Sequence, residues 1–177
     1  MGSKKILFKE HFVYRALKKR FIDNLQWEDT YYYRYILNMI SNGKMMWWCK
    51  NKLEWDNRLS ELDKIFYDVK RDGYKSNRKI YKKINNFNMM KAQDEVLVNI
   101  GRNGDLIFND GQHRLAIAML LDIKKIPIKV VIRHTKWVNF VNDIKKNIHN
   151  EEYFKKMKKE LLKYKFHIDL KEIMNKI

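Results

Sequence analysis

The run Asn109-Asp110-Gly111-Gln112-His113-Arg114 holds residue types from which an anion site can be built. It lies between a strand-like stretch, Leu106-Ile107-Phe108, and a helix-like stretch from Leu115 to Leu121. A chain that turns from strand to helix leaves backbone N–H groups at the helix start, and the positive end of the helix dipole adds to them. Gly111 allows either φ > 0 or close approach of the backbone to an anion. Gln112, His113 and Arg114 follow in the first turn. Two basic side chains there oppose the dipole unless an anion is present. A phosphate suits the place, and a nucleotide is its commonest carrier. Asp110 reads two ways. It is a carboxylate that binds Mg²⁺ or positions a hydroxyl, or a turn or N-cap residue chosen for local reasons.

The flanking segments must position this turn. Asp94 to Ile100 reads as a strand, and Gly101-Arg102-Asn103-Gly104-Asp105 as hairpin chemistry centred on Asn-Gly. Lys124 to Arg133 reads as another strand, with Pro127 near its beginning, where a missing N–H does little harm. The order is strand, hairpin, strand, phosphate-type turn, helix, strand.

This order, in DEVLVNIGRNGDLIFNDGQHRLAIAMLLDIKKIPIKVVIRH, resembles the ParB/sulfiredoxin fold. LDKIFYDVKRDGYKS resembles the helix that ends in glycine before that fold's first strand. Together with WEDTYYYRYILNMISNGK and IPIKVVIRHTKW, the resemblance runs from about Trp27 to Trp137, over which the chain resembles a group of microbial ParB-like proteins. It implies an α/β core over 53–134, with a helical extension over 1–52 and a helical tail over 135–177.

The resemblance also implies chemistry. Relatives that phosphorylate free serine place ATP or ADP phosphates on the matching turn, here Asp110 to Arg114. His113 and Arg114 would stabilise the transferred phosphoryl group, and Asp110 would hold Mg²⁺ or orient the acceptor. The acceptor would be a hydroxyl of a small metabolite or a sugar. Lys75, Ser76 and Arg78 follow Gly73-Tyr74 and, in this fold, lie beside the turn as further phosphate contacts or as exposed loop. Asp29, Glu28 and Asp72 are candidate general bases. ParB proteins themselves bind CTP and DNA, so the alternative is a nucleic-acid-binding or accessory module without catalysis. No helix-turn-helix pattern follows the core, which weighs against that alternative. A sulfiredoxin needs a cysteine where this chain has Gln112; Cys49 is far away in sequence, which argues against sulfinic acid repair.

Composition sets wider bounds. The net charge of +17 comes from 38 basic and 21 acidic residues. Residues 1–93 hold 21 and 10 of them, 94–134 hold 6 and 5, and 135–177 hold 11 and 6. The basic excess therefore lies outside the phosphate-type turn. It suits nucleic acid, an anionic membrane surface or an anionic glycan, or is solvated surface in a chain rich in Lys, Asn and Ile. No apolar run approaches the roughly 18–20 residues that span a bilayer, and the first residues show no signal core. A single Cys49 excludes an internal disulfide and a multi-cysteine metal site, and the expected setting is reducing and cytoplasmic. The five histidines show no ligand spacing, and no GxxxxGKS, HExxH or GxSxG motif occurs.

Helices are expected over 9–24, from an Asp29 or Thr30 cap to Ser41, and over 51–71 with a stripe of Leu53, Leu59, Leu62, Ile65, Phe66 and Val69. Residues 75–92 read as loop with some helix. A Thr135-capped helix to about 148, a lysine-rich helix to 164 and a short one over 166–177 complete the chain. Trp27, Asp29, Tyr31, Tyr32, Tyr33, Trp47 and Trp48 form either a platform for a base or sugar ring or, the reading favoured here, packing between layers. His134 reads as structural.

Overall fold

The computed structural model describes residues 7–76, 79 and 95–174. Most of 75–92, with Arg78, lies outside them. The fold is α/β, with seven α-helices and one three-stranded mixed sheet among the described residues. Two compact units divide the chain, one of 1–96 with 111–128, the other of 97–110 with 129–177.

The first unit is helical. α1 (Phe12–Phe21) starts later than expected, because His11 is extended and its Nδ1 accepts the Val13 N–H at 3.3 Å. α2 (Tyr31–Ser41) is capped by Thr30, whose Oγ1 accepts the Tyr33 N–H at 3.1 Å. α3 (Lys52–Asp72) begins with a reciprocal cap. Asn51 Oδ1 accepts the Glu54 N–H, and Glu54 reaches back to the Lys50 N–H and to Asn51 Nδ2. Gly73, at φ +76°, ends the helix.

The buried stripe of α3 is Trp55, Leu59, Leu62 and Phe66, spaced by three and four residues. Leu53 and Ile65, expected in it, are exposed. At about 100° per residue, Leu53 falls nearly opposite Trp55, and Ile65 a quarter-turn from Phe66. α4 (Gln112–Leu120) adds Ala116 and Ile117 to this unit's core, which also holds Leu17, Tyr32 and Ile36. Phe21 stacks on Phe66, and Asp63 accepts hydrogen bonds from both Arg20 and the Trp27 indole.

The sheet runs in the order β2-β1-β3. β1 (Val96–Ile100) pairs antiparallel with β2 (Leu106–Asp110), with a bulge between Leu97 and Val98. The connecting turn closes with Gly101 N–H to Asp105 O at 2.9 Å. β1 is central and alternates buried with half-buried residues, whereas β2 and β3 (Ile128–Arg133) are edges and largely exposed. α5 (Thr135–Lys146), α6 (Glu151–Leu162) and α7 (Lys171–Met174) follow. The second unit's core gathers Ile100, Trp137, Val141, Ile144, Leu161 and Leu170. Gly104 sits under Trp137, where a Cβ would come within 2.6 Å of the indole ring.

α5 is capped by His134, not by Thr135. His134 is extended, and its Nδ1 accepts the Lys136 N–H at 3.1 Å. The structural reading of His134 holds. Its replacement of Thr135 as cap shows that an imidazole nitrogen can take the place of a hydroxyl when the backbone turns one residue earlier.

Candidate functional site

Gly111 is the N-cap of α4 and adopts the left-handed conformation at φ +87°. A Cβ there would stand 2.9 Å from Val96 Cα and 3.1 Å from Glu95 O. Glycine is thus required by backbone sterics and by close approach to the protein's own chain. Asp110 is the last residue of β2, so the cap is the glycine and not the aspartate. Gln112, His113 and Arg114 form the first turn of α4, as expected.

Five of the helices α1 to α6 begin with a side chain that accepts a backbone N–H; α4 begins with a glycine that offers none. The side chains of its first turn face two neighbourhoods. The Arg114 guanidinium lies 3.9 Å from the largely buried Glu95 carboxylate, a distance for charge attraction but too long for a hydrogen bond. The Tyr74 phenol lies beside the same guanidinium. Burial raises the phenol, and the positive charge draws it part of the way back.

His113 points the other way. Its Nε2 is 3.0 Å from the Tyr32 hydroxyl, and its ring is edge-on to Tyr32 and Trp47. Burial holds the Tyr32 phenol far above its ordinary range, so it is a neutral hydroxyl at any working pH. The aromatic surround gives His113 a packing role that its place in the sequence did not show. The Trp47 indole N–H, also buried, finds no acceptor among the described residues.

The remaining site residues divide. Lys75 pairs with Asp72 at 3.2 Å. The Ser76 hydroxyl accepts the Lys79 N–H. Arg78 lies outside the described residues. Asp72, hydrogen-bonded by Arg71 and Lys75, is held down to about 2, which makes it a poor proton acceptor. Glu28 and Asp29 sit in a single 3-10 turn, Trp27–Asp29. Cys49 is buried, and burial raises its thiol, as suits an inert cysteine. No group of three or more His, Cys, Asp or Glu side chains that could hold a metal occurs among the described residues. No described helix is long and apolar enough to cross a membrane.

Glu95 and Tyr74 were not singled out in the sequence. Tyr74 follows the helix-ending Gly73 and so carried a positional signal. Glu95, nineteen places before Arg114, carried none.

The aromatic residues also divide. Trp27, Tyr32 and Tyr33 are buried, as packing requires, but Trp48 is 86 % exposed and Tyr31 66 %. Trp47 and Trp48 form a two-residue hairpin turn. Met46 and Cys49 exchange N–H···O bonds of 3.1 and 2.8 Å across it. Both tryptophans have positive φ, 53° and 66°. Such turns favour Asn-Gly, and each left-handed bulky residue costs about 1–2 kcal/mol.

No family model, curated protein or solved structure matches this chain.

Proposed function

We propose that the chain binds the phosphates of a nucleotide at the start of α4, in the manner expected from its ParB/sulfiredoxin-like motifs. The observation that supports this is the glycine start of α4, with no side-chain cap and with Arg114 in the first turn. Backbone N–H groups and the helix dipole would attract a phosphate, and Arg114 would share its charge between that phosphate and Glu95. ATP, ADP and CTP are the candidate nucleotides. The Mg²⁺ role of Asp110 rests on its place in the sequence next to Gly111. A phosphotransferase acting on a metabolite or sugar hydroxyl would draw catalysis from position and charge, since Asp72, held down by Arg71 and Lys75, is too weakly basic.

Calorimetric titration with Mg²⁺ and each of ATP, ADP and CTP tests the reading. Wild type is expected to bind at least one. Arg114→Ala should weaken it roughly 10- to 100-fold, from the loss of a charge-assisted hydrogen bond of about 1.5–3 kcal/mol. Glu95→Gln, which removes the competing carboxylate, should tighten it. Absence of binding by all three nucleotides to wild type sinks the proposal.

A second reading, nucleic-acid binding without catalysis, is favoured by α6 and the turn after it. Lys155, Lys156, Lys158, Lys159, Lys163 and Lys165 are all exposed there, and Glu160 is the single acid between Tyr153 and Phe166. Binding through this row would fall steeply with salt and would survive Arg114→Ala.

A further inference from the structure

The Trp47-Trp48 turn borders an open groove of about 310 Å³. Its other wall is one face of α3, where Glu54, Asn57, Arg58 and Glu61 recur at helical spacing. The volume falls at the small end of ligand clefts.

Trp48 does not serve the fold. Its backbone is in a conformation that glycine or asparagine adopts readily and a bulky residue resists. Its indole is almost wholly in solvent, so it adds little burial in return. An asparagine there would relieve the backbone and remove an exposed apolar ring. A residue that is poor for folding on both counts, held at the lip of a groove, points to recognition.

The polar wall restricts what is recognised. Glu54 is engaged by the Lys50 N–H and by Asn51, and Glu61 pairs with Arg58 at 3.5 Å. Two carboxylates against one guanidinium disfavour a phosphate. Because both carboxylates already have partners, neither is set aside for a cation. What remains is a flat apolar face opposite an amide and a paired guanidinium and carboxylate, all able to hydrogen-bond. That combination suits a ring with an apolar C–H face and polar edges.

We propose that this groove binds a neutral saccharide, with one sugar ring stacked on Trp48 and its hydroxyls hydrogen-bonded by Asn57, Arg58 and Glu61. Trp47 lines the same groove and lies edge-on to His113 in the first turn of α4, with ring centroids 5.2 Å apart. A bound sugar would therefore stand one indole away from the nucleotide end. It is the acceptor class for phosphoryl transfer, a clause that rests on the nucleotide reading, whereas sugar binding does not.

The test uses the full chain. Maltose, cellobiose and diacetylchitobiose are titrated separately by calorimetry and by tryptophan emission, with tetramethylammonium and AMP as cation and base probes. At least one disaccharide should bind wild type and shift its emission to shorter wavelength. Trp48→Asn should weaken that sugar at least tenfold while raising the thermal midpoint. Trp48→Tyr, which keeps a ring, should retain binding. Arg114→Ala should leave sugar binding unchanged, and Trp48→Asn should leave nucleotide binding unchanged, so the two readings fail separately. The proposal is overturned if none of the three sugars binds, if only tetramethylammonium or AMP does, if Trp48→Asn binds sugar as well as wild type, or if Trp48→Asn lowers the midpoint.

Discussion

β2 passes into α4 through Gly111, and β3 passes into α5 through His134. Both turns change an extended chain into a helix, both have a histidine within two residues, and both have an arginine close by. At α5 every one of these groups has a short-range partner. His134 caps the helix, and Arg133 makes a fork of hydrogen bonds at 2.8–3.1 Å to Asp169. The same carboxylate accepts the Trp137 indole N–H at 2.9 Å. The α5 corner thus contains its own anion. At α4 the cap has no side chain, His113 Nε2 meets the Tyr32 hydroxyl at 3.0 Å, and Arg114 lies beside the Tyr74 phenol and 3.9 Å from Glu95. One corner is tied together through the Asp169 carboxylate, which both Arg133 and Trp137 reach; the other starts from a glycine with no side-chain cap. The lesson is that Arg and His at a helix start do not define an anion site by type. What distinguishes the two is whether the helix starts from a capping side chain.

The comparison can be broken most strongly at Gly111. Gly111→Ala forces a side chain into the left-handed region and against Val96, and should destabilise by about 2–5 kcal/mol from strain and overpacking. A urea-unfolding midpoint indistinguishable from wild type would show that the α4 start is not as tightly built as described.

Asp169→Asn removes the anion from the α5 corner, and should cost about 1–3 kcal/mol. It also carries a pH signature. Burial alone would raise the Asp169 carboxyl, but hydrogen bonds from Arg133 and Trp137 outweigh it and hold it below its ordinary value of 3.8. A carboxyl depressed in the folded state stabilises fully above its unfolded value and loses that contribution as pH falls through the depressed one. Wild type should therefore lose stability below about pH 4, and Asp169→Asn should lose less over the same range. Parallel acid limbs in thermal melts would contradict the assignment.

The smallest change sharpens the contrast instead. His134→Gly gives α5 the kind of start that α4 has. Loss of the cap should cost only about 0.3 kcal/mol in urea unfolding, because glycine is itself tolerated as an N-cap. Without Asp169 removed, it should not create nucleotide binding at α5, because the corner anion remains. Acquisition of such binding would mean that caps alone decide.

Much of this was legible before any coordinates. The Thr30 start, the Gly73 stop, the Gly101–Asp105 hairpin and the first turn at Gln112–Arg114 all follow from residue types that act on their immediate neighbours. The two histidine caps were less legible, because imidazole is an uncommon cap and works only when the backbone turns at that residue. The Trp47-Trp48 turn was illegible, because its sequence is opposite to what such a turn prefers, and the packing reading of Trp48 failed with it.

By itself, then, the sequence determined the local order of strands, turns and helices, and it marked Gly111 to Arg114 as the place to look. Those features depend on contacts a few residues apart. Tertiary structure alone decided that Arg114 meets Glu95 while Arg133 meets Asp169, that His113 turns to Tyr32 and Trp47, and that Trp48 faces solvent across from α3. These pairings join residues distant along the chain, and the packing of whole helices, which no local pattern encodes, sets which of them come together.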